Sequence, residues 1–286
     1  MNSSTDNDSQ QPPTPTPSRE SPRRWILTTC RSRLEHLKVG LPTFLDRMPN
    51  WDPVVVCADD PEATQWVRRC LSDAKRGICV DLRQDGGKFN KLEALRCGIR
   101  MISALPGPRG TLVPVEDPTQ VQHLPFAEVR NADMVALLDA DTVALRSTAR
   151  TFELVASHEV GISSTGTGDD YGLLVASAAT LIGAMARIPI GYAAGYGCED
   201  MLIRVACWLE RKAPFRLIAP CWARRQHSDS LRALNYGLPV TTTAQALTTK
   251  LGEFIRANVP PDETWRLETE VFPRVGPALR ARRQAS

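Results

Sequence analysis

Four carboxylates and one imidazole set the chemistry open to this chain: Asp139, Asp141, Glu199, Asp200 and His227. The first two close the stretch MVALLDADT, Met134–Thr142, where an apolar run leads straight into Asp139-Ala140-Asp141. A short, uniformly apolar run that ends in polar residues predicts a buried strand of an α/β sheet. Ligands of such sheets bind just beyond the carboxyl ends of the strands. The two aspartates therefore belong at the sheet's working edge. Two carboxylates one residue apart can share a hard divalent cation, Mg²⁺ or Mn²⁺, which can in turn grip a diphosphate. The plainer alternative is a strand-end turn, where Asp is common. D-x-D by itself does not choose between them.

The second stretch is IGYAAGYGCED, Ile190–Asp200. Three glycines and two tyrosines predict a pliable loop, and Glu199-Asp200 open a helix carrying Leu202, Ile203, Val205, Ala206 and Leu209. Acidic residues at a helix start are favoured by the unpaired N–H groups there and by the helix dipole, whatever else they do. His227 is a lone histidine after a strand at Phe215–Ala219 and the run Trp222-Ala223-Arg224-Arg225-Gln226. A lone histidine is a metal ligand or a structural residue. Lys88 and Lys91 flank Phe89-Asn90, and solvent is the default for lysine.

Residues 1–23, almost devoid of apolar side chains, cannot offset the entropy of ordering and read as a disordered tail. Three β-α units come next. The strands are Trp25–Cys30, Val54–Cys57 and Ile78–Val80. The helices carry Leu34, Leu37, Leu41, Phe44 and Leu45, then Trp66, Val67, Cys70 and Leu71, then Leu92, Leu95, Ile99 and Ile102. Pro42 should kink or shorten the first helix, and Asp60-Pro61 should cap the second. Repeated β-α units predict a parallel sheet flanked by helices. The Pro- and Gly-bearing stretch Pro106–Ala132 breaks the pattern as a long connection. After MVALLDADT come a helix near Ser147–Ala156, a strand at Val160–Ser163, a loop at Gly166–Asp170, a strand at Leu173–Ala176 and a helix at Ala178–Ala186. Thr241–Ala257 and the remaining C-terminal segments look helical and peripheral. The division is thus a tail, one α/β domain over 24–240 and a C-terminal helical extension over 241–286.

At 286 residues with 42% hydrophobic side chains, the chain is large enough to bury a core in one such domain. A net charge of +3 with scattered arginine clusters gives no basic stripe for nucleic acid. None of the eight cysteines forms a C-x-x-C pair, which argues against a zinc ribbon. No signal peptide and no apolar run of membrane-spanning length is visible. Reduced thiols and a cytoplasmic location are the expectation.

Together, LLDADT, then GYGCED, then His227 resemble the nucleotide-sugar glycosyltransferases of the GT-A fold. The likeness is to the family 2 enzymes and to the galactosyltransferase-type C-terminal half shared with β1,4-galactosyltransferases and chondroitin polymerases. It covers Trp25 to His227, and Thr28-Thr29-Cys30-Arg31 resembles the family's opening strand. The resemblance implies a Rossmann-like mixed sheet flanked by helices and a metal-dependent, inverting transfer. The sugar would pass from a nucleotide-sugar, UDP foremost, to an acceptor hydroxyl. Asp139, Asp141 and His227 would be ligands of Mn²⁺ or Mg²⁺. Thr29, Arg31, Asp59, Lys91, Asp139 and Gly197 would face the donor. Asp200 would be the general base and Glu199 would orient a sugar. Two departures stand out: Cys57 sits where many members carry an acidic residue toward the nucleoside, and Arg224-Arg225-Gln226 replaces a segment that supplies a methionine ligand in galactosyltransferases.

Three other readings compete. DADTV at Asp139–Val143 also fits a haloacid-dehalogenase-type phosphatase, with Asp139 as nucleophile and Asp169-Asp170 as a second acidic pair. That family's motif belongs on a first strand, whereas three β-α units precede it here. A nucleotidyltransferase would show a Gly-rich phosphate loop, which Thr28–Leu34 lacks. A non-catalytic module binding a nucleotide-sugar or glycan would keep the fold but not need every acidic residue.

Overall fold

The computed structural model describes residues 22–84, 87–104, 109–115, 133–163, 173–189, 192, 199–225, 230 and 240–272. The tail up to residue 21, the Gly166–Asp170 loop, Gly197, His227 and most of Ile190–Asp200 lie outside them.

The described residues form ten strands, numbered in chain order. β1 (Arg24–Cys30), β2 (Asp52–Ala58), β3 (Gly77–Leu82), β4 (Arg109–Val115) and β5 (Met134–Asp139) come first. β6 (Thr142–Ala144), β7 (Val160–Ser163), β8 (Leu173–Ser177), β9 (Arg216–Leu217) and β10 (Trp222–Arg224) complete them. The helices are α1 (Leu34–Arg47), α2 (Pro61–Ala74), α3 (Lys91–Ala104), α4 (Thr148–Glu153), α5 (Ala178–Arg187), α6 (Glu199–Arg211) and α7 (Val240–Asn258), with short turns of helix from Pro261 to Val271.

Eight strands form one sheet in the order β4-β3-β2-β1-β5-β8-β7-β9. β8 runs antiparallel to both β5 and β7, and the other pairings are parallel. This is the Rossmann-like mixed sheet flanked by helices that the GT-A resemblance implies. From β1 the chain winds outward through β2 and β3 to β4, then returns to lay β5 on the other side of β1. Such a reversal leaves a crevice at the carboxyl ends of the two central strands. In its register, Thr29 of β1 stands beside Asp139 of β5.

The apolar runs become buried strands because both faces are covered. One face packs Leu27, Val56, Val80 and Leu137 with Leu92, Leu95 and Ile99 of α3 and with Leu202 and Trp208 of α6. The other sets Leu37 and Leu41 of α1 with Val55 and Cys57 and with Val67 and Leu71 of α2. Phe254, Val259, Leu267 and Val271 of the C-terminal segments share the first of these clusters. Each of the seven described cysteines is a free thiol.

Four expectations need correction. α1 is not shortened at Pro42 but runs on to Arg47, with Pro42 and Lys38, one turn before it, both on an exposed face. Trp66 and Cys70 are only half-buried on α2. The connection at Pro106–Ala132 contains β4, an edge strand that tolerates Pro114 because an edge does not need every N–H. The strand expected at Phe215–Ala219 shrinks to Arg216–Leu217 at the opposite edge. Asp60 caps α2 as expected, its Oδ1 accepting from the Ala63 N–H at 3.0 Å.

Candidate active site

The crevice between β1 and β5 collects the charged residues. Asp139 ends β5, and the turn through Ala140 leads to the buried Asp141, just before β6. β6 then leaves the main sheet and pairs antiparallel with β10, with Arg224 opposite Thr142. This small ribbon brings a distant arginine onto both aspartates. Arg224 Nη2 lies 3.0 Å from Asp139 Oδ2, and its Nε lies 3.7 Å from Asp141 Oδ2. The Arg225 N–H donates to the Asp141 carbonyl at 2.8 Å. Arg33, just before α1, places Nη1 3.8 Å from Asp141 Oδ2. The ribbon fits under α1 only because residue 40 is glycine: a Cβ there would run into the Thr142 carbonyl oxygen.

Lys91 joins the two motifs. It opens α3, and its Nζ lies 2.7 Å from Asp139 Oδ1, 3.2 Å from Asp200 Oδ1 and 3.4 Å from Glu199 Oε1. Glu199 and Asp200 form the first turn of α6, where the helix dipole favours carboxylates. Glu199 is buried, whereas the Asp200 side chain is 44% exposed and so open to solvent. Asp200, Ile203 and Arg204 share one face of α6, as their spacing requires. With Lys91, Leu95 and Asp139 they line a shallow pocket. Its floor is apolar, from Leu137 and Leu174, which strengthens ion pairs at its rim.

The like charges part in titration. Burial works to raise the Asp139 pKa, but Lys91 and Arg224 outweigh it and hold the carboxyl below its ordinary value. Burial, and then the neighbouring Asp139, push Asp141 up. Burial also pushes Glu199 up, against the pull of Lys91 and with the push of Asp200.

The other residues that the resemblance sets toward a donor sit along the same edge. Thr29 is buried at the end of β1. Arg31 comes just after it, with Nη1 4.0 Å from Asp59 Oδ2. Asp59 Oδ1 accepts from the Gln84 N–H at 2.9 Å. Ser32 and Asp59, the turns after β1 and β2, both have left-handed backbone, with φ of 54° and 46°. Non-glycine residues held in this way cluster at ligand sites. The structure thus brings together Asp139, Asp141, Lys91, Glu199 and Asp200, with Thr29, Arg31 and Asp59 along the rim. Gly197 and His227 lie outside the described residues.

Arg33 and Arg224 were not singled out from the sequence. Arg224 stood there only in a run noted for the ligand it lacked, and its place depends on a pairing 82 residues away in the chain, from 224 to 142.

The hard carboxylate oxygens of Asp139 and Asp141 suit Mg²⁺ or Mn²⁺. The buried Asp141 and the half-buried Asp139, which repel each other, are also a place a cation would stabilise. The two fit as part of a ligand set. Among the described residues, no group of three or more His, Cys, Asp or Glu is arranged to hold a metal ion.

No family model matches the sequence, and no curated protein matches it. Among solved structures, the chain is similar to S. aureus TarS 1–349, with a TM-score of 0.48 and 12% identity over 90% of this chain and 83% of that one. For S. aureus TarS 1–349 in complex with UDP the TM-score is 0.46 at 11% identity, over 92% and 87% of the two chains. For the apo form of the glycosyltransferase GlyE of Streptococcus pneumoniae TIGR4 it is 0.40 at 11% identity, over 88% of this chain and 54% of that one. Likenesses this distant say nothing of chemistry, which rests on the residues above.

Proposed function

We propose that this chain is a glycosyltransferase that moves a sugar, with inversion, from a nucleotide-sugar to an acceptor hydroxyl. One observation carries the reading: the Lys91 ammonium lies between Asp139, at the end of β5, and the Glu199-Asp200 pair that opens α6. A donor-holding carboxylate and a half-exposed carboxylate able to act as a base thereby share one crevice.

The donor diphosphate would lie along the carboxyl ends of β1 and β5, facing Thr29, Arg31, Lys91 and Gly197, with Asp59 toward the nucleoside. Lys91, Arg33 and Arg224 carry the positive charge that would steady the diphosphate. Asp139 and Asp141, with His227, would hold Mn²⁺ or Mg²⁺. A divalent cation there would offset the charge that develops on the departing nucleotide. Asp200 would accept the proton of the acceptor hydroxyl as that oxygen attacks the anomeric carbon. Glu199, held beside Lys91, would orient the sugar. A UDP-sugar is the first donor to test, and the acceptor is any molecule offering a hydroxyl to Asp200. Among the described residues no helix is long and apolar enough to cross a membrane.

Calorimetric titration of UDP, GDP and UDP-sugars, with Mn²⁺ and then with EDTA, tests the donor site. Metal-dependent binding of one nucleotide, lost in Asp141→Ala, is the expected result. No nucleotide binding under either condition would overturn the transferase reading and send the Asp139 chemistry to phosphatase assays. Binding without release of UDP in the presence of hydroxyl acceptors would identify a non-catalytic module instead.

A further inference from the structure

Among the described residues, Arg224 is the cation that spans both carboxylates of the Asp139–Asp141 turn. Its Nη2 lies 3.0 Å from Asp139 Oδ2 and its Nε 3.7 Å from Asp141 Oδ2. Lys91 is divided between Asp139, Glu199 and Asp200, and Arg33 reaches Asp141 at 3.8 Å. A guanidinium that bridges two carboxylates makes the same claim on their oxygens as a divalent cation shared between them. Two carboxylates here already face three cations. A divalent ion added with all three in place would set like charges against one another in a poorly solvated crevice.

The main chain under Arg224 is fixed. It pairs with Thr142 across the β6–β10 ribbon, and the next N–H, of Arg225, holds the Asp141 carbonyl at 2.8 Å. The guanidinium is less confined. The side chain is 21% exposed, and its Cζ lies 5.5 Å from the ring of Trp222, two residues back on the same side of the strand. The head group can therefore leave the aspartates while its backbone stays in the ribbon. A diphosphate offers it a better partner, because a guanidinium fork matches phosphate oxygens in pairs.

We propose that Arg224 makes divalent-cation binding at the Asp139–Asp141 turn depend on the nucleotide. Until a diphosphate arrives, the guanidinium competes with the cation for both carboxylates. A diphosphate draws the guanidinium onto its own oxygens and releases the carboxylates. Metal and donor then enter the crevice as one unit. This rests on the donor and metal reading above and names the residue that couples its two halves.

The test follows Mn²⁺ binding to wild type, Arg224→Gln and Arg224→Lys by electron paramagnetic resonance of the unbound ion, with and without UDP. In wild type UDP should tighten Mn²⁺ binding about 10- to 100-fold, a usual size for coupling between two sites. Arg224→Gln should bind Mn²⁺ alone about 10-fold more tightly than wild type, and its gain from UDP should shrink to about three-fold or less. Arg224→Lys keeps the charge but not the fork and should fall between the two. By reciprocity Mn²⁺ should change UDP affinity by the same factors, which calorimetry checks. Weaker Mn²⁺ binding in both variants would overturn the proposal, since Arg224 would then only brace the turn. If Arg224→Gln does not fold, Arg224→Lys decides by the same comparison. Equal Mn²⁺ binding in all three proteins would remove the competition and leave the metal reading standing. No Mn²⁺ binding in any of them, with or without UDP, would remove the metal reading itself and the proposal with it.

Discussion

Strand β5 has an aspartate at each end, and the two live in opposite worlds. At the amino end Asp133 is fully buried and, among the described residues, bonded to Arg23. Arg23 gives it a backbone N–H at 2.8 Å, Nε at 3.0 Å and Nη2 at 2.9 Å. One anion meets one cation in a fork that leaves no charge over. At the carboxyl end, four carboxylates face Lys91, Arg33 and Arg224, at distances from 2.7 to 3.8 Å. That end is crowded, unevenly matched and open to solvent at Asp200. The first arrangement closes the sheet. The second leaves charge that a ligand could complete.

The contrast breaks most visibly through Asp200→Asn. Transfer should fall by about 10²- to 10⁴-fold, the range for losing a general base, while the melting temperature and UDP affinity hold near wild type. Turnover like that of wild type would remove Asp200 from the role of base. Asp133→Ala should show the reverse pattern. Leaving Arg23 without its buried partner should cost about 3 kcal/mol in denaturant unfolding, with UDP affinity unchanged in the folded protein. If Asp133→Ala instead weakens UDP binding at little cost in stability, the two ends are not separate in kind.

Gly40→Ala sharpens the comparison by moving one end without altering a charge. The added methyl would meet the Thr142 carbonyl, so the turn carrying Asp141 must shift. Stability should drop by about 1–3 kcal/mol, as overpacking does, and metal-dependent UDP binding should weaken with it. Unchanged UDP binding in a destabilised variant would show that the turn tolerates displacement.

The smallest effect is expected at a third ion cluster, away from the crevice. Glu270 accepts from Trp208 Nε1 at 2.7 Å and pairs with Arg266 Nε at 2.9 Å. Burial works to raise its pKa, but the bonds from Arg266 and Trp208 prevail and bring it below the ordinary value. A carboxyl held low stabilises the fold above its unfolded-state pKa and loses that contribution as pH falls through the folded-state value. Glu270→Gln should therefore cost about 1 kcal/mol at neutral pH. The gap to wild type should close on acidification from the usual glutamate value down through the lower folded-state one. A gap independent of pH would mean that the hydrogen bonds, not the charge, carry the contribution.

How much the sequence disclosed tracks the range of the interactions. β1, β2, β3 and β5 were legible because each is a compact apolar run buried on both faces. Asp139, Glu199 and Asp200 were legible as short local patterns, whereas Lys91 read as a solvated lysine and entered only through the family resemblance. β4 was not, because Arg109–Val115 contains a proline and lies at an edge, where pairing outweighs apolar content. Arg224 and Arg33 read as ordinary solvated arginines until the β6–β10 ribbon and α1 set them on Asp141. Asp133 gave no signal at all. Its partner is 110 residues away, and an aspartate before an apolar run reads as a boundary.

The register of β1 also dictates an order of events as the chain leaves the ribosome. β2 can pair with β1 after some twenty residues, but the other side of β1 must wait for β5, which begins at Met134. Until then the nascent chain carries an open central edge, a template for wrong partners that long-range sheets expose while they assemble. The crevice between β1 and β5 cannot exist before that edge is sealed. Nucleotide binding by truncated, stalled chains should thus be absent in any that stop short of β5, so the appearance of the ligand site would report that the middle of the sheet has closed.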